Sequence, residues 1–134
     1  MARTNAAIIE AANATLIVNG NLDAISDFFA DDYVAHVTGQ DFSGGHEVVK
    51  KIVRAYQRAF SEIEVEIDIL VKAKNRIAWQ RTLKAQHTGP FKGFPATNRP
   101  ICWRDMITTE FRNGLIAEEW VVTDLAEKLL LARK

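Results

Sequence analysis

The chain has 134 residues, with 17 basic and 17 acidic side chains, three histidines and one cysteine. That length suits a single domain, 1–134, whose core buries about two-thirds of the unfolded surface. Zero net charge gives no overall pull toward nucleic acid or anionic lipid, and a lone Cys102 forms no internal disulfide.

The N-terminal stretch is interrupted by Glu10, Asn13 and Thr15, so it lacks the apolar run of a signal peptide. Nothing approaches the roughly eighteen uninterrupted apolar residues of a membrane span. A cytoplasmic protein with no nucleic-acid or membrane partner is expected.

Thr4 can cap a first helix whose apolar positions, Ala7, Ile8, Ala11, Ala12, Leu16 and Ile17, keep helical spacing as far as Gly20. A short second helix is predicted over "NLDAISDFFAD", capped by Asn21, with "DYVAHV" turning extended after it. "SGGHEVVKKIVRAYQRAF" predicts a third helix with Val49, Ile52, Val53, Tyr56 and Phe60 on its apolar stripe and its lysines and arginines in water.

After Ser61 the period falls to two. Ile63, Val65, Ile67 and Ile69 alternate with Glu64, Glu66 and Asp68, the mark of a half-buried strand. Three more strands are predicted at about 76–88, 100–112 and 115–123, with Lys74-Asn75 and Asn113-Gly114 as turns, and then a helix over 125–133. Helices first and an antiparallel meander afterwards argue for an α+β domain with helices on one face of a curved sheet.

The element order, together with the His87-Thr88-Gly89 turn, the Gly93-Phe94-Pro95-Ala96-Thr97 loop leading to Arg99, the Asn113-Gly114 hairpin and Glu118-x-Trp120 followed by Asp124, resembles the SnoaL-like polyketide cyclases. These belong to the nuclear-transport-factor-2-like superfamily, with ketosteroid isomerase, scytalone dehydratase and limonene epoxide hydrolase among their relatives. The resemblance implies a conical α+β barrel, in which a curved, mostly antiparallel sheet and N-terminal helices enclose a deep apolar cavity, usually in a homodimer. It also implies acid/base chemistry without a cofactor on a small apolar molecule, of cyclase, isomerase or hydrolase type. Non-catalytic ligand binding is the alternative, since the superfamily contains both.

In the cyclases the residue after the position matching Trp120 is typically a general acid/base aspartate. Here it is Val121, which can neither take nor return a proton. Three residues are candidates to supply the chemistry instead: Asp105, Glu119 and His87.

Asp105 shares a strand face with Ile101, Trp103, Ile107 and Phe111, where burial would raise its pKa; pairing with Arg81 on the neighbouring strand is the structural alternative. Whether Glu119 faces inward depends on the hairpin. A two-residue turn sets odd residues opposite even ones, whereas a three-residue turn with a glycine bulge keeps odd with odd. His87 has the pKa for proton transfer near neutrality, against a plain role bonding turn backbone.

Arg81 and His36 are candidates to polarise a ligand oxygen, and Tyr33, Trp103, Phe91, Phe94 and Val121 to line the cavity. Asp124, three residues before Glu127, reads as a helix cap, and Glu118 as facing away. Cys102, between Ile101 and Trp103, reads as a buried, inert thiol. His36, His46 and His87 have no metal-ligand spacing, so no metal is expected.

Overall fold

The computed structural model describes residues 3–132. Its six strands are β1 (Phe29–Val37), β2 (Gln40–Ser43), β3 (Phe60–Lys72), β4 (Arg76–His87), β5 (Pro100–Arg112) and β6 (Leu115–Thr123). They form one sheet in the order β2-β1-β6-β5-β4-β3, antiparallel except where β1 runs parallel to β6. The sheet curves without closing, so β2 and β3 remain its free edges.

Three helices, α1 (Asn5–Ala12), α2 (His46–Ala59) and α3 (Leu125–Ala132), complete the α+β fold. α2 packs over β1 and β3, and α3 against β5. The stripe of α2 that meets the sheet, Val49, Val53 and Tyr56, is buried. Each such side chain contributes roughly 1.5–3 kcal/mol relative to exposure.

Thr4 caps α1 as its sequence predicts, with its hydroxyl accepting from Ala7 N–H at 3.1 Å. The helix does not run regularly to Gly20. At Asn13 the winding widens into a π-helical turn, Asn13–Val18, in which Asn19 N–H reaches Ala14 C=O. Asn13 is buried there, and its Nδ2 donates to Ile9 C=O at 2.8 Å.

The expected second helix is only a 3-10 turn, Leu22–Asp27; Asn21 makes no side-chain cap, and Phe29 to Asp32 are already strand. Aromatic and β-branched neighbours overrode the helical spacing in that segment. β2 was not foreseen, because all four of its residues are exposed and it carries no burial pattern. Of the predicted final helix, Arg133 lies outside the described residues.

Along β4 and β5, and on β6 from Glu119 onward, the odd-numbered residues face the helices. Arg81, Asp105 and Thr123 are aligned across three strands, as are Trp79, Ile107 and Val121. The 113–114 turn alone would break this pattern. Asn113 and Gly114 both have positive φ, 53° and 76°, in a two-residue turn that pairs Arg112 with Leu115, even with odd.

One bulge then restores the phase. Phe111 pairs with Ile116 and Glu110 with Glu118, so Ala117 is left without a partner, and Glu119 falls opposite Thr109 on the inner face. β3 is bent by two further register shifts, between Ser61 and Glu64 and between Ile69 and Val71.

Candidate active site

Between the concave sheet face and the helices lies a pocket of about 610 Å³. Most of its wall is apolar, including Leu16, Val53, Phe91, Phe94 and Val121. Arg81, Asp105, Glu119, Tyr33, Tyr56 and Asn13 place polar groups on that wall.

Asp105, 1% exposed, accepts a bond from Arg81 Nε at 2.8 Å through Oδ2. Its Oδ1 is buried and has no hydrogen-bond partner among the described residues. Arg81 Nη1 donates to Asn13 Oδ1 at 2.8 Å, so the π-helical turn and two strands fix the guanidinium plane. Burial works against the Arg81 charge, but the combined attraction of Asp105, Tyr56 and Glu119 outweighs it and raises its pKa.

Glu119 is held differently. Tyr33 Oη donates to its Oε1 at 2.7 Å and Thr109 Oγ1 to its Oε2 at 2.5 Å. Behind Thr109, the Trp79 indole N–H donates to Oγ1 at 2.9 Å. Burial raises the Glu119 pKa, while the Thr109 and Tyr33 bonds and the Arg81 charge pull it partly back.

Burial, reinforced by the neighbouring carboxylate, raises both tyrosines: Tyr33 well above its ordinary value, and Tyr56, beside Asp105, to about 12. Both therefore stay neutral hydroxyls in water near pH 7. The pocket holds one carboxylate clamped by an arginine and a second clamped by two hydroxyls, a pairing able to give and take protons.

Of the residues singled out by sequence, Asp105, Glu119, Arg81, Tyr33, Phe91, Phe94 and Val121 line this pocket. Trp103, His87 and His36 do not. Trp103, 1% exposed, lies behind Tyr56 and packs on Phe60 with ring centroids 4.7 Å apart.

His87 is fully buried at the end of β4. Its Nδ1 accepts from Thr97 N–H at 3.3 Å, and its backbone binds Asn98 and Arg99, so it staples the 88–99 loop. Burial lowers its pKa. At Gly89, next to it, a Cβ would come within 2.1 Å of Arg58 C=O, so only glycine fits this approach.

His36 lies on the outer face, because it is an even residue of β1. Its Nδ1 and Nε2 sit 2.6 Å from Asp41 Oδ1 and Glu118 Oε2, and its ring stacks on Trp120 at 5.4 Å. The bonds to Asp41 and Glu118 raise its pKa. Glu118 thus faces away, as its sequence position suggests.

Two further residues depart from expectation. Cys102 is exposed, since Ile101 and Trp103 take the inward positions on either side of it. Asp124 stands at the cap position of α3, where its C=O accepts from Lys128 N–H at 3.1 Å, but its side chain turns elsewhere. Its Oδ1 accepts from Arg104 N–H at 2.8 Å at the end of the β5–β6 ladder, while Thr123 Oγ1 accepts from Leu125 N–H at 3.2 Å.

Asn13 and Thr109 are site residues that the sequence reading missed. A signal existed for both: Thr109 interrupts the odd face of β5 between Ile107 and Phe111, and Asn13 stands one helical turn after Ile9. No group of three or more His, Cys, Asp or Glu able to hold a metal occurs among the described residues.

The family model for SnoaL-like polyketide cyclases matches residues 7–130. The chain belongs to that family. Among solved structures it resembles IdmH from Streptomyces antibioticus, a candidate polyketide cyclase, at 21% identity and TM-score 0.79, covering 98% of this chain and 99% of that one.

It is similar to AclR from Streptomyces galilaeus, a candidate hydroxylase, at 21% identity and TM-score 0.79, covering 96% and 94%. A SnoaL-like polyketide cyclase from Agrobacterium tumefaciens matches at 19% identity and TM-score 0.76, covering 96% and 98%. At these identities the likeness is one of fold. No curated protein matches the chain. Among the described residues no helix is long and apolar enough to cross a membrane.

Proposed function

We propose that this protein is a cofactor-independent enzyme that moves a proton on a small apolar molecule bearing a carbonyl or epoxide oxygen. The observation that carries this reading is the unpartnered Oδ1 of Asp105, buried at an apolar pocket beside the Arg81 guanidinium. A bare carboxylate oxygen can abstract an acidic proton or orient a water. The adjacent cation stabilises negative charge developing on the ligand oxygen.

Glu119, with its pKa raised by burial, serves as the second proton carrier, and Tyr33 as a neutral donor to the ligand. With Val121 at the cyclases' usual acid position, the acid/base pair is drawn from β5 and a neighbouring inward position of β6 instead. Isomerase, cyclase and hydrolase chemistry all suit this pair.

The test is turnover of ketosteroid, polyketide-like and epoxide substrates by the parent, Asp105→Asn and Glu119→Gln. A fall of about 10²–10⁴ for Asp105→Asn on the active substrate is expected. Equal rates in parent and variants would remove both carboxylates from the chemistry. A parent that binds these molecules but turns over none would establish the second reading, a ligand-binding pocket. That reading draws on Glu119 already having both oxygens occupied by protein donors.

The outer sheet face suits a homodimer. Leu70, Met106 and Val122 are exposed there around Trp120, and Val122 at 63% is far more open than an apolar strand residue usually is. Light scattering should give twice the chain mass for the parent and a smaller mass for Val122→Glu. Exposed, unpaired Cys102 fits a reducing cytoplasm.

A further inference from the structure

The chain of bonds behind Glu119 has a direction that chemistry fixes. An indole N–H only donates, so Trp79 must give its hydrogen to Thr109 Oγ1. Thr109, fully buried, has one hydrogen of its own, and among the described residues Glu119 Oε2 is its acceptor. Were Glu119 to carry its proton on Oε2 and donate it back to Thr109, the threonine hydrogen would be left buried and unbonded, at a cost of about 1–3 kcal/mol.

No such constraint acts at Oε1. Tyr33 also lines the pocket, so its hydroxyl can turn its hydrogen to a ligand and accept one from Oε1.

We propose that Trp79, acting through Thr109, is a positioning residue that keeps Glu119 Oε2 an acceptor and confines the Glu119 proton to Oε1, where Tyr33 passes it to or from the ligand. In the forward direction Glu119 Oε1 releases its proton to Tyr33 Oη as the Tyr33 proton goes to the ligand oxygen. Tyr33 is neutral before and after, and Glu119 ends as the carboxylate. The other titratable or charged groups on the pocket wall are Glu47, Lys51 and Tyr56 on α2, Arg81 on β4, Lys92 in the 88–99 loop and Asp105 on β5. Of these, Arg81 acts on Glu119 across the pocket.

This inference deepens the acid/base reading and rests on it for its catalytic meaning, but its test needs no substrate. Glu119 is titrated through its side-chain carboxyl ¹³C signal in the parent, Thr109→Val, Thr109→Ser and Trp79→Phe. Thr109→Val removes a donor to the carboxylate and should increase the protonated-to-ionised ratio at fixed pH about tenfold. Thr109→Ser should restore the parent ratio.

Trp79→Phe leaves every direct Glu119 contact in place yet frees Thr109 to reverse, so it should shift the ratio in the same direction as Thr109→Val. An unchanged titration in Trp79→Phe overturns the proposal. Where a variant does not fold, the parent still decides. The Thr109 hydroxyl hydrogen should keep a through-hydrogen-bond scalar coupling to the Glu119 carboxyl ¹³C on both sides of the titration, and its loss on protonation overturns the proposal. If the titrations behave as expected but no substrate is turned over, the placement of the Glu119 proton on Oε1 stands and the enzyme reading falls.

Discussion

Glu118 and Glu119 are neighbours on one strand, and the sheet gives them opposite chemistry. Glu118, on the outer face, binds a histidine that itself meets a second carboxylate, in a partly exposed setting. Glu119, on the inner face, meets no cation directly among the described residues and is clamped by two neutral hydroxyls, 9% exposed. On the outer face charge answers charge and water screens both. On the inner face burial disfavours charge, and the protein supplies hydrogen bonds in place of water. Identical side chains therefore meet charge and water in one case, and burial with neutral hydrogen-bond donors in the other.

The sharpest way to break the inner arrangement is to strip the Asp105 partner. Arg81→Met leaves a carboxylate with 1% side-chain exposure facing apolar walls, and should cost about 3–5 kcal/mol in urea unfolding. The double variant Arg81→Met/Asp105→Leu should recover part of that loss, because no unpaired charge remains.

The next contrast is in pH. Burial raises the Glu119 pKa in the folded state above its unfolded value, so the folded protein binds that proton more tightly. Its favourable contribution is present below the ordinary carboxylate pKa and is lost as pH rises through the folded pKa. Glu119→Gln should flatten that fall in a plot of unfolding free energy against pH.

His36 is raised by bonds to Asp41 and Glu118, so its contribution is complete below the ordinary histidine pKa and disappears as pH rises through the folded value. Its effect should be smaller, because it lies at the surface. Glu118→Gln should move the His36 imidazole titration, followed by NMR, toward the ordinary value while leaving Glu119 untouched. The smallest effect is expected at Cys102: Cys102→Ser should leave the melting temperature unchanged, and the parent thiol should react with a thiol reagent without denaturant.

The strands were legible because alternation is local. Ile63 to Ile69 and Ile101 to Phe111 carry their burial in their own spacing. Asp105 and Arg81 could be matched for the same reason, on adjacent strands with their faces known.

Glu119 could not be placed so directly, since its orientation depends on an unpaired Ala117 whose presence no residue type announces. The Tyr33–Glu119 bond spans 86 residues and the Arg81–Asn13 bond 68, and both depend on β1 and the π-helical turn arriving correctly. Local pattern shows where a polar residue points. It does not show which distant hydroxyl will meet it.

The bends in β3 also bear on how the protein keeps company with itself at high concentration. An open sheet leaves a strand edge whose backbone could recruit another chain. This edge carries Glu64, Glu66 and Asp68 as exposed like charges, and its two register shifts twist it out of flat alignment. A second copy docking edge to edge would set acids against acids, which disfavours this edge as a template for fibres.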